Sequence, residues 1–414
     1  MTKISYRGKL LLIPGIWYIF PFYQIVFITT FPETNSICSL TLALLFLLKG
    51  FKKNPIKSFL RGYNIWFVFL LIWYILNIFR SDNVIYGANQ IFKLLFPIVI
   101  FTFAYHSYKN KYNILYFFDY LSKTSCVFLL ICILAKLIGN NFIYSYYGME
   151  IVIYPFLLFL MTKKKKYLLY ILLCFSFCLV YVKRTSLIGI LSMIIVYLLY
   201  KYRYKALLPL IGVFIISISA VLYIPALSER IFYHTFDFSY LDLNMFLTGE
   251  VFEYINTSGR SNTWSIMIDK LFLGNELFGI GPGSLKAWMS SPFHNDNFDT
   301  FQRVHNDWLQ IMIEGGYIAL VFMVVFFIKL FIKTYKVYSN KSYTGFTRNI
   351  AMGTAMVSSA TIIHMFFENC MGCVGFCIPW LFSAILFRSL KNERYERTIL
   401  LQTTYRDGKR KDKL

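Results

Sequence analysis

Residues 307–332 read DWLQIMIEGGYIALVFMVVFFIKLFI, and from Gly315 to Ile328 the run carries no charge. A helix crosses the roughly 30 Å hydrocarbon core of a bilayer with about 20 mostly apolar residues, so this stretch reads as a membrane span. Working outward in both directions, the same reading applies to 10–31, 36–48, 63–79, 89–106, 121–138, 151–162, 167–182, 185–200, 206–224, 350–367 and 372–387, of which 36–48 and 151–162 are short. The composition agrees: of 414 residues 57% are hydrophobic, 20% aromatic and 15% charged, against about 25% charged in soluble domains. The expected fold is all-α, a polytopic membrane protein of about 12 transmembrane helices. Disorder, a secreted disulfide scaffold and a Rossmann-type enzyme are excluded, because long apolar runs leave no room for charged loops or strand-helix alternation.

The charge pattern gives the topology. Lys and Arg number 42 against 20 acidic residues, a formal net charge of +22. A nucleic-acid binder gathers its cations on one soluble face, whereas these come in short bursts between apolar runs, so no nucleic-acid partner is expected. Threaded from a cytoplasmic N-terminus, 31 of the 42 fall inside and eight outside, while Lys93, Lys123 and Lys136 lie in or at the ends of spans. Cytoplasmic loops are the basic ones. Both termini are therefore expected on the cytoplasmic side of a multi-pass membrane protein. The chain divides into spans one to nine over 1–224, an extracytoplasmic loop carrying part of the active site over 225–306, spans ten to twelve over 307–389, and a basic cytoplasmic tail over 390–414. The basic head before the first span and the absence of a small-residue cleavage site after it predict that the first span is retained. All eight Cys fall in or at the ends of spans, and Cys370-x-x-Cys373 lacks the second pair of ligands a zinc site needs. No metal and no cofactor is expected.

Three places break the apolar pattern at a cost in free energy. Lys183-Arg184 is wedged between two spans at the outer surface, against the charge bias, and needs an anionic counterpart or lipid headgroups. Arg260 sits in Ser258-Gly259-Arg260-Ser261-Asn262-Thr263-Trp264 ahead of the helical stripe Trp264, Met267, Ile268 and Leu271. Ser258 or Ser261 suits the cap, the stripe suits a helix lying along the membrane surface, and a fork-shaped guanidinium at a helix N-terminus suits a phosphate. The third place is the turn Phe278-Gly279-Ile280-Gly281-Pro282-Gly283, followed by His305-Asn306-Asp307-Trp308 and a span holding Glu314-Gly315-Gly316. The glycine turn follows no strand and is a loop rather than a nucleotide signature. His305, at the mouth of a span, is an imidazole that accepts a proton near neutral pH. Glu314 lies deeper, where a charge demands a partner such as an Arg. His364 and Glu368, near the outer end of the eleventh span, are candidates to face the same cavity.

The order of these features resembles the O-antigen ligase and polymerase superfamily of bacterial surface-polysaccharide assembly. The shared sequence is an Arg after the seventh span, a long outer loop after the ninth, Gly-x-Arg with a downstream Trp, a Gly-x-Gly turn, and His-Asn leading to Glu-Gly in the tenth. The matching segments are 184–189, 259–264, 278–283 and 305–316. Where the family often carries Ser-Arg-Ser after the seventh span, this chain has Lys183-Arg184-Thr185-Ser186. The resemblance implies that Arg184, Arg260 and His305 occupy the family's functional positions; the two Arg are expected to bind diphosphates and His305 to be the catalytic base, with Glu314 as the reserve candidate on its own chemistry. It also implies a metal-independent, inverting, C-type glycosyltransferase mechanism. The implied partners are undecaprenyl-diphosphate-linked glycan donor and acceptor, the lipid bilayer, and a chain-length regulator.

Chemistry supports the same assignment. Moving a sugar from a lipid diphosphate to a hydroxyl requires stabilising charge on the departing diphosphate and removing a proton from the nucleophile. Two Arg and a His suit that task, and a chain with no Asp-x-Asp pair disfavours a metal-clamped nucleotide-sugar transferase. The expected function is a polymerase of O-antigen or capsular repeat units, because such chains diverge with their glycan and the Lys, Ile, Tyr, Phe and Asn bias suggests an AT-rich genome. A ligase transferring the glycan to the lipid core of lipopolysaccharide is the alternative. The rival class is a lipid-linked oligosaccharide flippase, motivated by Lys93, Lys123 and Lys136, but its two comparable halves are missing.

Overall fold

The computed structural model describes residues 59–60, 62–107, 110–138, 151–180, 184–212, 260–291, 304–368, 370–371 and 374–411. The first two expected spans, and all of the ninth beyond 212, lie outside the described residues. The described helices are α1 (Asn64–Leu76, closed by a 3₁₀ turn, Asn77–Arg80), α2 (Val84–Ser107), α3 (Lys111–Leu137), α4 (Ile153–Thr162), α5 (Lys166–Val180) and α6 (Arg184–Tyr202). They continue with α7 (Arg260–Met267), α8 (Ser284–Met289), α9 (Asp307–Ser339), α10 (Gly345–Phe367) and α11 (Val374–Lys411). Among the described residues there is no strand, and five stretches are long and apolar enough to cross a membrane: Val84–His106, Lys111–Ile131, Thr185–Gly212, Asp307–Ser339 and Gly345–Phe367. The chain is an all-α polytopic membrane protein.

Helix α10 is the hub, packing against α6, α9, α11 and α4. Its sequence explains this. Lipid tails are as apolar as leucine, so helices associate in a bilayer through close packing, which small residues permit. Buried along α10 are Ala351, Gly353, Thr354, Ala355, Ser358 and Ala360, and Gly353 lies so near Leu157 of α4 that a Cβ there would stand 2.5 Å from the leucine methyl. Around the hub the large side chains lock together: Trp380 of α11 stacks on Phe326 of α9 at 5.0 Å between centroids and meets Phe67 of α1 at 4.7 Å. Some polar side chains in this interior bond to one another, which lowers the cost of placing them in hydrocarbon. Tyr63 donates to Ser383 at 2.7 Å, and the Tyr200 hydroxyl lies 2.8 Å from that of Thr334.

Several boundaries differ from the sequence reading, each for a local reason. Helix α3 starts at Lys111, ahead of the expected 121, because Asn110 caps it by accepting from Asn113 N–H and Asp119 is matched by Lys123, Lys166 and Tyr167. Helix α10 starts at Gly345, five residues early, on a Thr344 cap. Helix α11 runs on through the basic tail to Lys411. Its root is stitched to the preceding turn, where Glu393 accepts from Thr344 and Thr347 and Arg397 donates to the Ser342 carbonyl.

Candidate active site

Helix α9 is broken near its start. Gly316 has φ 68° and ψ −172°, a region open in practice only to glycine. Breaking a helix strands backbone groups that must bond elsewhere. Here the segment 275–283 and the end of α1 take them up. Ile280 N–H donates to Ile313 O at 2.9 Å, Gly281 N–H to Glu314 O at 3.0 Å, and Tyr317 N–H to Glu276 O at 2.8 Å. Trp73 donates to Gly315 O at 2.7 Å, and Asn77 to both Phe278 O and Glu314 O. The glycines of this turn let backbone lie on backbone: a Cβ on Gly279 would stand 2.5 Å from the Glu314 carbonyl carbon. The glycine turn is thus a fastener for the break in α9. At its tip, Gly274 N–H donates to exposed Glu276 and draws that carboxyl below its ordinary range.

Glu314 is fully buried beneath this turn and accepts from Gly283 N–H at 3.0 Å. The cation that acts on it electrostatically is Lys93 of α2, where the sequence suggested an Arg.

At the start of α9, three consecutive residues do three different things. His305 adopts the left-handed conformation, φ 51°, which His tolerates better than most residues. Asn306 caps α9 by accepting from Leu309 N–H at 3.0 Å. Asp307, buried, accepts from the N–H groups of Cys370 and Met371 at 2.7 and 2.8 Å, so it anchors the segment that joins α10 to α11. That segment also receives the other site residues. Arg260, the first residue of α7, donates through Nη1 to Phe367 O at 2.7 Å. His305 Nδ1 lies 3.3 Å from Glu368 Oε2, with the imidazole 26% exposed and the carboxylate 12%. Two candidate residues from distant parts of the chain thus stand on neighbouring residues of one segment.

The stripe begins on α7 and continues through the π-helical turn Ile268–Phe272, and it packs against other parts of the chain. Met267 is buried with Val304, Leu309, Ile313 and Leu285, and Trp264, Ile268 and Leu271 pack against them. Trp264 also donates to Val304 O at 2.8 Å, fixing the residue before His305. Ser258 lies outside the described residues, as does Lys183.

Arg184 opens α6, and its height in the bundle follows from helix geometry. The hydroxyls of Ser192 on α6 and Ser359 on α10 are 3.2 Å apart. Further along α6, Tyr200 meets Thr334 of α9, and α9 and α10 run antiparallel across the short turn 340–344. From the serine contact, Arg184 and Phe367 each lie eight residues toward the same end, about 12 Å at 1.5 Å per residue. The backbone of Arg184 is therefore level with the Arg260–His305–Glu368 group.

Among the described residues no three of His, Cys, Asp and Glu converge as a metal-ligand set. Cys126, Cys174, Cys178, Cys370 and Cys377 are buried, the last four in the main core. The fold and the site define a polytopic helical membrane protein that gathers an arginine, a histidine and a carboxylate at one end of its bundle.

Residues 168–324 match the family model described as O-antigen ligase. This stretch holds Arg184, Arg260, the glycine turn, His305 and Glu314, so the resemblance to the O-antigen ligase and polymerase superfamily is borne out over it. The match supports a glycosyl-transferring enzyme of polysaccharide assembly in a membrane. A comparison with curated proteins finds no match.

Proposed function

We propose that this protein polymerises undecaprenyl-diphosphate-linked oligosaccharide repeat units of an O-antigen or capsule, on the outer face of the bacterial cytoplasmic membrane. The observation that carries this reading is the meeting of Arg260 and His305 on the adjacent residues Phe367 and Glu368. In the reaction, an acceptor hydroxyl oxygen attacks the anomeric carbon of the donor glycan, and the bond from that carbon to the diphosphate breaks. The electron pair leaves with the lipid diphosphate, and the hydroxyl proton passes to the imidazole of His305. A single displacement of this kind inverts the anomeric centre. Arg260 and Arg184 stabilise the charge that develops on the diphosphate, where a guanidinium fork offers paired donors. Nη1 of Arg260 is held by Phe367 O, which orients the fork.

We assign the base to His305 and to Glu314 the holding of the glycine turn, since its carboxylate already accepts from Gly283 N–H. The test is in vitro transfer with purified protein and a lipid-linked repeat unit. The wild type should build a polymer ladder from that substrate alone. Arg184→Ala and Arg260→Ala should abolish the ladder and weaken substrate binding. His305→Ala should keep binding and lose turnover by about 100-fold to 10,000-fold, the usual worth of a general base. Activity that appears only when a lipid-core acceptor is added would make the protein a ligase, and full activity of His305→Ala would refute the base assignment.

A further inference from the structure

We propose that Glu368 is a positioning residue for His305, fixing the ring through Nδ1 so that Nε2 is left to face the acceptor hydroxyl. The inference rests on the reading of His305 as the base. It concerns a residue beyond the matched stretch 168–324, brought to the imidazole by the turn after α10.

The argument begins with the imidazole. A neutral imidazole carries one proton on either nitrogen, and only the bare nitrogen can accept another. A carboxylate at one nitrogen accepts an N–H bond and so selects the tautomer in which that nitrogen bears the proton. Glu368 Oε2 lies 3.3 Å from Nδ1, which assigns the proton to Nδ1 and the accepting lone pair to Nε2. As the ring takes up the acceptor's proton at Nε2 it becomes a cation, and the same carboxylate stabilises that charge without taking the proton itself.

The carboxylate could do this only if its own position were fixed, and its surroundings fix it. Glu368 N–H donates to His364 O at 2.9 Å, ending α10. On one side the Phe367 carbonyl accepts from Arg260. On the other, Cys370 and Met371 N–H donate to Asp307. The imidazole is held as well: its backbone sits in the left-handed region between Val304, bound by Trp264, and the Asn306 cap. A base and its orienting acid, each held by neighbours that bond to something else, is the arrangement a preorganised site needs. Among the described residues, the ionisable ones tied to this pair or to its segment are Arg260 on α7, Asp307 on α9 and His364 on α10. Asp307 is engaged with the backbone of 370–371, and Arg260 with Phe367.

The experiment compares Glu368→Ala, Glu368→Gln and His305→Ala in full-length protein reconstituted in liposomes, with lipid-linked repeat unit as substrate. Turnover and KM are measured, with substrate binding measured separately. Glu368→Ala should lower kcat by roughly 10-fold to 100-fold, less than loss of the base itself, with KM and binding within about twofold of wild type. Glu368→Gln should recover most of that loss, because its amide oxygen still accepts from Nδ1–H. A Glu368→Ala variant with normal kcat, beside a His305→Ala variant that is dead, would overturn the positioning role and leave the base assignment standing. A His305→Ala variant with normal kcat would overturn both. Equal losses in Glu368→Ala and Glu368→Gln, or a loss confined to KM, would also refute the inference, since neither follows from a lost orienting acceptor.

Discussion

The break in α9 yields a quantitative expectation that separates backbone conformation from contact. At Gly316 both act: the positive φ with extended ψ costs a non-glycine residue about 1–3 kcal/mol, and an added Cβ would press on the Leu277 carbonyl. Relieving that clash means moving the 275–283 segment away and giving up at least the Tyr317–Glu276 bond and one of its neighbours. At about 0.5–1.5 kcal/mol each, these bring the cost of Gly316→Ala to about 2–6 kcal/mol. Gly274 offers a control with positive φ, 86°, and open space around it, so Gly274→Ala should cost only about 1–2 kcal/mol. Gly345, at the start of α10 with ordinary φ and nothing within 4 Å of a built Cβ, should be neutral or gain up to about 1 kcal/mol on change to Ala. Because Cys126, Cys174, Cys178, Cys370 and Cys377 are buried, unfolding in detergent can be followed by the reaction of newly exposed thiols with a fluorogenic maleimide. The midpoints should rank Gly345→Ala at or above wild type, Gly274→Ala slightly below, and Gly316→Ala lowest by a wide margin. If Gly316→Ala melts with wild type, the glycine turn is not what holds the break.

Other expectations follow from the same geometry. Asp307→Ala should leave two buried N–H groups without an acceptor, costing about 1–3 kcal/mol for each, and Asp307→Asn, which keeps one acceptor oxygen, should cost less; thiol-exposure midpoints measure both. Glu314→Gln should keep turnover near wild type, since the amide oxygen still accepts from Gly283, whereas a dead variant with intact folding would move the base role from His305 to Glu314. A cysteine introduced at Asp296 should react with an impermeant maleimide only from outside the cell, and labelling confined to the cytoplasmic side would end the topology.

The long apolar helices among the described residues were legible because a bilayer leaves the chain little choice: an uninterrupted apolar length can only be a helix there. What periodicity and hydropathy missed are the places where polar residues belong to helices because something distant satisfies them. Asp119 looked like a loop residue before 121, yet sits inside α3 because Lys166 and Tyr167, far along the chain, complete its bonding. The glycine turn was correctly read as a loop, but its purpose was hidden, since a sequence does not say whether a ligand or another backbone approaches a glycine. The stripe that starts on α7 was read correctly as apolar and helical, and it packs in part against Leu285 and the outset of α9. Arg260 and His305 stood out as polar residues in costly places. Glu368 was visible only as a carboxylate near a helix end, because its partner is more than sixty residues away.

The short segment from Phe367 to Met371 explains why so much of the site depends on residues that carry no chemistry. Transition-state charge is stabilised best by donors already fixed where the charge develops, and a long arginine on a short helix is not fixed by its own backbone. Here Arg260 is oriented by a main-chain carbonyl, and the residue offering that carbonyl is followed by the carboxylate that meets His305. Two residues later the same segment gives its N–H groups to Asp307, which lies beside His305 in sequence. The anchoring is therefore closed on itself: α9 holds the segment, the segment holds Arg260 and Glu368, and Glu368 returns to the residue just ahead of α9. A displacement of any one member reaches the imidazole and the guanidinium together, so under the reaction we propose, binding of a diphosphate at Arg260 would be coupled to the placing of the base.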